Sequence, residues 1–168
     1  KKKISKIIYV SSDAVFSDSK KRINEKSLKN PDSLHGLMHI YRERILGFYF
    51  KNLSVIRPTL IYGNNDSHNG YGPNMFIRLA QSNKNIKLFG KGEEIRDHVN
   101  ISDVVKVLIK LIKKDYFTDF NVVSSNEISF KQIADLVKDQ YKNIKIDYIK
   151  RKGKMPHDGI RIFDNNKL

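Results

Sequence analysis

A short apolar segment near the start of the chain ends abruptly in small polar side chains. It consists of Ile7-Ile8-Tyr9-Val10 and is followed directly by Ser11-Ser12-Asp13. A run of β-branched and aromatic residues of this length predicts a buried β-strand. Open α/β sheets place their ligand-binding groups at the carboxyl ends of strands. We therefore expect the two hydroxyls and the carboxylate to lie at a functional edge of a parallel sheet.

The composition indicates a folded protein with a basic surface. Of the 168 residues, 39% are hydrophobic, which is enough for a sizeable core. The formal charge is +14, but the lysines are spread along the whole chain. Cysteine is absent, which excludes disulfides and thiolate metal sites. No apolar run reaches membrane-spanning length. We expect a cytoplasmic protein with neither a membrane nor a nucleic-acid partner, although a basic nucleic-acid-binding protein stays open as a further hypothesis.

Hydrophobic periodicity predicts alternating strands and helices in the first part of the chain. It predicts strands over residues 4–10 and 52–57 and a helix over 33–49 between them. Two strands joined by a helical crossover are expected to be parallel, with a right-handed connection. Residues 63–73 are rich in Gly and Asn and predict a loop.

The second part of the chain predicts shorter elements. Strands over residues 86–89 and 95–101 flank Gly90-Lys91-Gly92, which indicates a hairpin. The other expected elements are helices over 74–82, from Ser102-Asp103 to Ile112 and over 129–141, and strands over 120–123 and 144–149. The pattern fades after residue 150.

Five segments match one known family in the same order along nearly the whole chain. They are Val10-Ser11-Ser12-Asp13-Ala14-Val15-Phe16; Glu43; Val55-Ile56-Arg57-Pro58 with Ile61-Tyr62-Gly63; Leu88-Phe89-Gly90-Lys91-Gly92 with Arg96-Asp97-His98-Val99 and Ser102-Asp103-Val104; and Phe120-Asn121-Val122-Val123-Ser124 with Ile128-Ser129. Together they resemble the extended short-chain dehydrogenase/reductase family of nucleotide-sugar epimerases, dehydratases and reductases. Each match is weak alone, but their shared order is hard to produce by chance.

The resemblance implies an α/β fold in two regions. Residues 1–62 would form the carboxyl-terminal part of a Rossmann-like doubly wound sheet with the active-site helix. Residues 63–168 would form a small α+β substrate-binding region, with elements near 98–124 returning to the Rossmann sheet. The family moves a hydride between a sugar carbon and a nicotinamide, so NAD or NADP is the implied cofactor.

The resemblance also assigns catalytic roles at the first strand end. A tyrosine takes the proton of the sugar hydroxyl, a lysine four residues later lowers the pKa of the tyrosine, and a Ser or Thr orients the sugar oxygen. Ser12 occupies the hydroxyl position, and Asp13 is a candidate acid. Dehydratases carry a base at the next position. Because Ala14 cannot be a base, an epimerase or reductase is expected rather than a dehydratase.

The active-site helix departs from the family at both catalytic positions. His35 occupies the tyrosine position and His39 the lysine position. We retain both as catalytic candidates, and Ser11, His39 and Pro58 as candidate cofactor contacts. A histidine proton relay stays an alternative. So does a metal site from the two histidines, but the acids of a zinc motif are absent and no metal is expected. The resemblance therefore predicts lost or impaired catalysis.

A second departure concerns the dinucleotide. The family cradles its pyrophosphate with a glycine-rich turn after its first strand, and none of the nine glycines has that spacing. Since the first residue is Lys rather than Met, we expect a piece of a longer protein, partnered by an amino-terminal half chain or by a second copy.

The expected substrate contacts lie in the second region. Leu60 stands where many members have an asparagine for the sugar phosphate. Arg96 is the candidate phosphate contact, because guanidinium matches phosphate oxygens, and either Arg151 or Arg161 is the candidate for a second one. Arg96 could instead form a surface ion pair with Glu93, Glu94 or Asp97. Asn74 and Phe76 are candidate sugar contacts. Asn74 could equally be a helix cap, and Phe76 could equally be a core aromatic.

These observations give one hypothesis and one alternative. The hypothesis is an NAD-dependent nucleotide-sugar epimerase or reductase, incomplete and catalytically impaired as this chain. The alternative is a non-catalytic module, from a decayed or split gene, that binds a nucleotide sugar or a partner chain. The sequence leaves open which sugar is bound and whether the segment acts as an enzyme.

Overall fold

A computed structural model describes residues 4–64, 66 and 69–167 of the chain. The strands are β1 (Ile7–Val10), β2 (Leu53–Pro58), β3 (Leu60–Tyr62), β4 (Ile86–Phe89), β5 (Ile95–Arg96), β6 (His98–Asn100), β7 (Asp119–Val122), β8 (Ile128–Ser129), β9 (Ile146–Ile149) and β10 (Ile160–Arg161). The α-helices are α1 (Leu34–Tyr49), α2 (Pro73–Gln81), α3 (Ile101–Lys113) and α4 (Phe130–Gln140).

The main sheet is parallel, as the strand–helix–strand order predicts. Its order is β1-β2-β7, with Val10 paired to Ile56 and Ile56 paired to Phe120. Helix α1 is the crossover from β1 to β2. The carboxyl end of β1 therefore lies beside the carboxyl end of β2. In the part of the chain that the structure describes, β1 is an edge strand of this sheet.

The remaining strands form small sheets whose partners are distant in sequence. Strand β4 pairs in parallel with β9, and β3 pairs in parallel with β6. Strand β5 lies between β8 and β10. The expected hairpin around Gly90-Lys91-Gly92 is therefore wrong, because the two flanking segments pair with different strands. Helix α3 also begins one residue before the expected Ser102-Asp103 cap, with Asn100 as its N-cap.

Three clusters of buried side chains form the core. The first packs α2 and α4 around β4, the second packs α3 against β2 and β7, and the third joins the loop after β1 to the carboxyl-terminal segment. That segment carries the buried Phe163 and a bridge from Ile23 to Phe163. Order after residue 150 was not expected from its pattern, which has no regular period.

Helix α1 forms where expected, but its apolar stripe faces outward. The Ser33 side chain caps its first turn by accepting from the Gly36 amide. The exposed apolar side chains are Leu34, Leu37, Met38, Tyr41, Ile45, Phe48 and Tyr49. A surface helix normally turns such a stripe to the core. Among the described helices, none is long and apolar enough to cross a bilayer.

Gly36 lets the amino end of α1 approach the loop that follows β1. A Cβ built at this position would lie 2.1 Å from the carbonyl oxygen of Ala14 and 2.5 Å from the Cβ of Pro31. Gly47, on the same helix, has no such neighbour within 4 Å. The helix therefore needs glycine at position 36 but not at position 47.

The two glycines give a matched test of this close approach. We expect Gly36→Ala to lower the free energy of unfolding by about 1–3 kcal/mol, because the new methyl overlaps backbone. Gly47→Ala should raise it by about 0.5–1 kcal/mol through helix propensity. Urea denaturation followed by circular dichroism measures both. Equal effects of the two substitutions would show that Ala14 does not pack tightly against α1.

His98 is a buried polar group without hydrogen-bond partners among the described residues. It is 7% exposed, and both of its ring nitrogens lack a partner. Its ring packs edge-on against Phe130, at 5.5 Å between centroids. Burial, followed by the charge of Arg96, lowers the pKa of His98 to about 4. The folded protein therefore holds a neutral imidazole.

This depressed pKa makes the fold sensitive to acid. Below pH 6.5 the unfolded chain binds a proton at His98 that the folded chain refuses until about pH 4. The free energy of unfolding should fall across that window by about 3 kcal/mol. We expect His98→Phe to remove this part of the pH dependence of Tm, measured by differential scanning calorimetry. The exposed His35→Gln is the control; if it changed the profile as much as His98→Phe, burial of His98 would not be the cause.

Candidate functional site

The end of β1 is fixed by a buried ion-pair network. The hydroxyl of Ser11 donates to Oε1 of Glu43 on α1 at 2.6 Å. Arg57 of β2 donates to both carboxylate oxygens of Glu43 and to Asp119 of β7, each at 2.8 Å. Arg57 is 3% exposed. The network therefore ties the strand end to three other elements.

Charge pairing outweighs burial in this network. Burial opposes the charged form of Arg57, but hydrogen bonds and charges from Glu43 and Asp119 raise its pKa overall. Burial likewise opposes ionisation of Asp119, yet Arg57 and Lys167 lower the pKa of Asp119 overall. Arg57 and Asp119 therefore both stay charged, and each supplies the opposite charge that a buried ion needs. These residues orient the end of β1 through their mutual hydrogen bonds.

Ser12 and Asp13 turn the chain away from the sheet. The Ser12 hydroxyl accepts from the Ala14 amide at 3.2 Å and caps a short 3-10 turn over Asp13–Val15. Oδ2 of Asp13 accepts from Nε of the buried Arg161 at 2.9 Å. The carboxylate of Asp13 is thus engaged by Arg161, and its role as an acid stays a prediction.

The two helix histidines lie together, with a strand tyrosine beside them. The rings of His35 and His39 meet edge-on at 4.6 Å between centroids. The Tyr9 hydroxyl is 2.8 Å from Nδ1 of His39. Burial lowers the pKa of His39, and charge on His35 and Arg42 adds to the effect. His39 is therefore mostly neutral at pH 7, unlike a lysine at the same position.

The three predicted cofactor contacts differ in their exposure. Ser11 and Pro58 are buried, and Ser11 is bonded to Glu43. Of the three residues only His39 is partly exposed. Their role in cofactor binding stays a prediction.

The two arginines predicted to bind phosphate converge on one buried carboxylate. Glu94 is 4% exposed. Its Oε1 accepts from Nε of Arg96 at 2.7 Å, and its Oε2 lies 3.4 Å from Arg151. The Nε of Arg151 is buried and has no hydrogen-bond partner in the described part of the chain. Burial lowers the pKa of Arg96, although Glu94 counteracts this. Of the acids expected near Arg96, Glu94 is the one that pairs with it.

Arg151 of this pair lines an open pocket of about 590 Å³, whereas Arg96 is not among the lining residues. Phe89, Ile149 and Pro156 provide its apolar wall, and Lys150, Arg151, Lys152 and Lys154 provide its basic wall. The guanidinium of Arg151 lies 6.0 Å from the centre of the Phe89 ring. An aromatic face beside several cations suits a flat, anionic ligand.

Asn74 lines a pocket, whereas Phe76 lies in the core. Asn74 lines a second pocket of about 270 Å³ together with Leu60 and His98. Its side chain also spans the loop, accepting from the Gly63 amide and donating to Asp66. Phe76 is fully buried and packs against Tyr71 and Phe130. Phe76 therefore occupies a core position, which is the alternative that the sequence left open for it.

Several groups at these sites were not expected from the sequence. Tyr9 lies in a strand, and its contact with His39 of α1 is not evident from the sequence. Glu94 pairs with its near neighbour Arg96 and also with Arg151, which is distant in the sequence. The sequence offers Arg161 as an alternative phosphate contact, but not as a partner of Asp13. It also offers Glu94 as a partner of Arg96. In the described part of the chain, no group of three or more His, Asp or Glu side chains is placed to hold a metal ion.

Comparisons with known proteins agree with this architecture. The sequence profile of the NAD dependent epimerase/dehydratase family matches residues 1–122. dTDP-D-glucose 4,6-dehydratase from Dictyostelium discoideum is 28% identical over 153 residues, which covers 79% of this chain and 34% of that protein.

Two solved structures have the same fold. UDP-glucose 4-epimerase from Thermotoga maritima, with UDP-glucose, has a TM-score of 0.85 at 21% identity and covers 98% of this chain. UDP-glucuronic acid 4-epimerase from Bacillus cereus, with UDP-glucuronic acid and NAD, has a TM-score of 0.79 at 21% identity and covers 92%.

The match extends over only part of each relative. This chain spans 34% of the Dictyostelium protein and 56% and 52% of the two solved structures. Within that span the profile match covers well over half of this chain. The parallel sheet and the ordered motifs agree with the same assignment. The chain therefore belongs to the NAD-dependent epimerase/dehydratase family.

Proposed function

We propose that this chain binds a nucleoside diphosphate sugar, as the substrate-binding part of a nucleotide-sugar epimerase or reductase. The observation that carries the proposal is the convergence of Arg96 and Arg151 on the buried Glu94. One carboxylate between two guanidiniums leaves an excess positive charge in a partly buried place. A diphosphate has the charge and the oxygen spacing to bind there.

The surroundings of the arginine pair support a nucleotide rather than phosphate alone. Phe89 is 40% exposed and offers an aromatic face beside Arg151. Three lysines line the same pocket. Aromatic and guanidinium planes stack on nucleobases, and lysines attract the phosphates. The relatives named above include epimerases with UDP-glucose and UDP-glucuronic acid, which makes uridine diphosphate sugars the first ligands to test.

Binding of UDP-glucose should depend on both arginines. We expect Arg151→Met and Arg96→Met each to weaken binding about tenfold or more, because each removes a charged phosphate contact. Isothermal titration calorimetry with UDP-glucose, UDP and inorganic phosphate separates the base from the phosphate contribution.

The control for this experiment is an exposed arginine on α1, Arg44→Met, whose affinity should match the unchanged chain. Circular dichroism confirms that each variant is folded, and Arg151→Met keeps the Arg96–Glu94 pair intact. The proposal fails if UDP-glucose does not bind, or if all three variants bind it equally.

We further propose that the bound sugar is turned over slowly or not at all. The positions that carry tyrosine and lysine in the family hold His35 and His39. A neutral imidazole cannot lower the pKa of a neighbouring phenol as an ammonium does. Ser11 and Asp13 are also engaged by Glu43 and Arg161. The same contacts support the alternative, which is a module that binds the nucleotide sugar without catalysis.

A partner along β1 would complete the proposed enzyme. The free edge of β1 and the outward apolar side of α1 are surfaces that folded proteins usually cover. We propose that further parallel strands with the dinucleotide site pair with β1, supplied by the same or by another polypeptide. A second copy packed on α1 is the other arrangement, and it would leave the edge of β1 unpaired.

A chimera tests catalysis and assembly together. The segment of the Thermotoga epimerase that precedes its matched region can be placed before this chain. With UDP-glucose and NAD we expect little epimer by NMR, and about 100-fold more from the double variant His35→Tyr/His39→Lys, which restores the proton-transfer pair.

The control is the same chimera with Arg44→Lys, which should stay as slow as the original chimera. Fast turnover by the chimera with both histidines would contradict the proposed impairment. If the folded double variant binds UDP-glucose and NAD but stays inactive, the histidines are not the cause of the impairment.

A further inference from the structure

Arg161 is a buried guanidinium that holds the loop following Ser12. Its side chain is 3% exposed. It donates to Oδ2 of Asp13 at 2.9 Å, to the Asp13 carbonyl at 2.6 Å and to the Phe16 carbonyl at 3.2 Å. A third nitrogen donates to Asp18 at 3.0 Å. One side chain from the end of the sequence therefore satisfies both main-chain and carboxylate acceptors over residues 13–18.

Arg161 is also the neighbour of the phosphate-binding candidate Arg96. Strands β10 and β5 are parallel, with Arg161 directly paired to Arg96. Paired residues of adjacent strands project to the same side of a sheet, about 5 Å apart. Besides burial and Glu94, the charges of Asp13 and Arg161 act on the pKa of Arg96. The two guanidiniums are thus close enough to repel each other.

Carboxylates accompany each of the three arginines in this part of the structure. Arg96, Arg151 and Arg161 face three carboxylates, those of Glu94, Asp13 and Asp18. His157 also contacts Asp18. A diphosphate at Arg96 adds negative charge next to Arg161. It lowers the repulsion between the two guanidiniums, so Arg161 can bind Asp13 and Asp18 more tightly.

We propose that Arg161 is a positioning residue that couples occupancy of the diphosphate site to the order of residues 13–18, next to the Ser12 hydroxyl. This inference rests on the proposed binding of a nucleoside diphosphate. The coupling combines two observations: the guanidinium nitrogens of Arg161 bind residues 13–18, and its positive charge acts on the paired Arg96. The loop amides that report on it are those of Val15, Phe16 and Ser17, which bond within the loop and to Leu28.

Amide hydrogen exchange of the ligand-free chain tests the anchoring. We expect Arg161→Gln to speed exchange of the Val15, Phe16 and Ser17 amides about tenfold or more, because buried carbonyl acceptors lose their donor. Asp13→Asn keeps the carbonyl contacts and should give a smaller increase. Arg44→Gln, on the exposed side of α1, should give none. If Arg161→Gln does not fold, Asp13→Asn carries the test. If the folded Arg161→Gln variant exchanges these amides as slowly as the unchanged chain, Arg161 does not anchor the loop. If only Asp13→Asn folds, the same result for Asp13→Asn overturns the anchoring.

The same measurement with UDP tests the coupling. In the unchanged chain, saturating UDP should slow exchange of the three amides about threefold or more. In the Arg161 variant UDP should still bind but should leave these amides unaffected. If UDP binds and the unchanged chain shows no slowing, the coupling is wrong. If UDP and UDP-glucose do not bind at all, the proposed function fails and the coupling fails with it, whereas the ligand-free result still decides the anchoring.

Discussion

The buried guanidinium of Arg57 is the interaction on which the rest of the site depends. It joins Glu43 of α1 to Asp119 of β7 from its own place in β2, and Glu43 in turn accepts from Ser11 at the end of β1. Removing one partner of such a buried pair costs about 3–5 kcal/mol, because a charge is left uncompensated. The geometry of the strand end is therefore set by electrostatics across four elements rather than by local sequence.

Local sequence was sufficient for the elements and their order. The Ser33 cap and the Ser129 capping box mark helix starts that the structure confirms. The strand–helix–strand order predicts the parallel pairing of β1 with β2. These features depend on interactions between residues that are close in the sequence, so local sequence patterns are enough to predict them.

Long-range pairing was not accessible from the same patterns. Gly90 and Gly92 have positive φ and form a tight turn, as a hairpin would. The strand before them, however, pairs with β9, which begins at Ile146. The sequence offers Arg161 as an alternative phosphate contact, but its burial against Asp13 follows only from the structure. The sequence also offers Glu94 as a partner of Arg96, but it does not indicate that Arg151 reaches the same carboxylate.

The arrangement of charges would let a basic chain bind the proposed nucleoside diphosphate selectively. The formal charge of +14 is spread over the surface and attracts any polyanion weakly. Inside the site, by contrast, carboxylates accompany Arg96, Arg151 and Arg161. Those carboxylates hold the guanidiniums in place and offset the desolvation cost of the buried Arg161 and of the half-buried Arg96 and Arg151. A ligand must therefore compete with Glu94 for both arginines at once. A diphosphate has two linked groups that can do so, whereas an isolated phosphate or an exposed side-chain carboxylate has one.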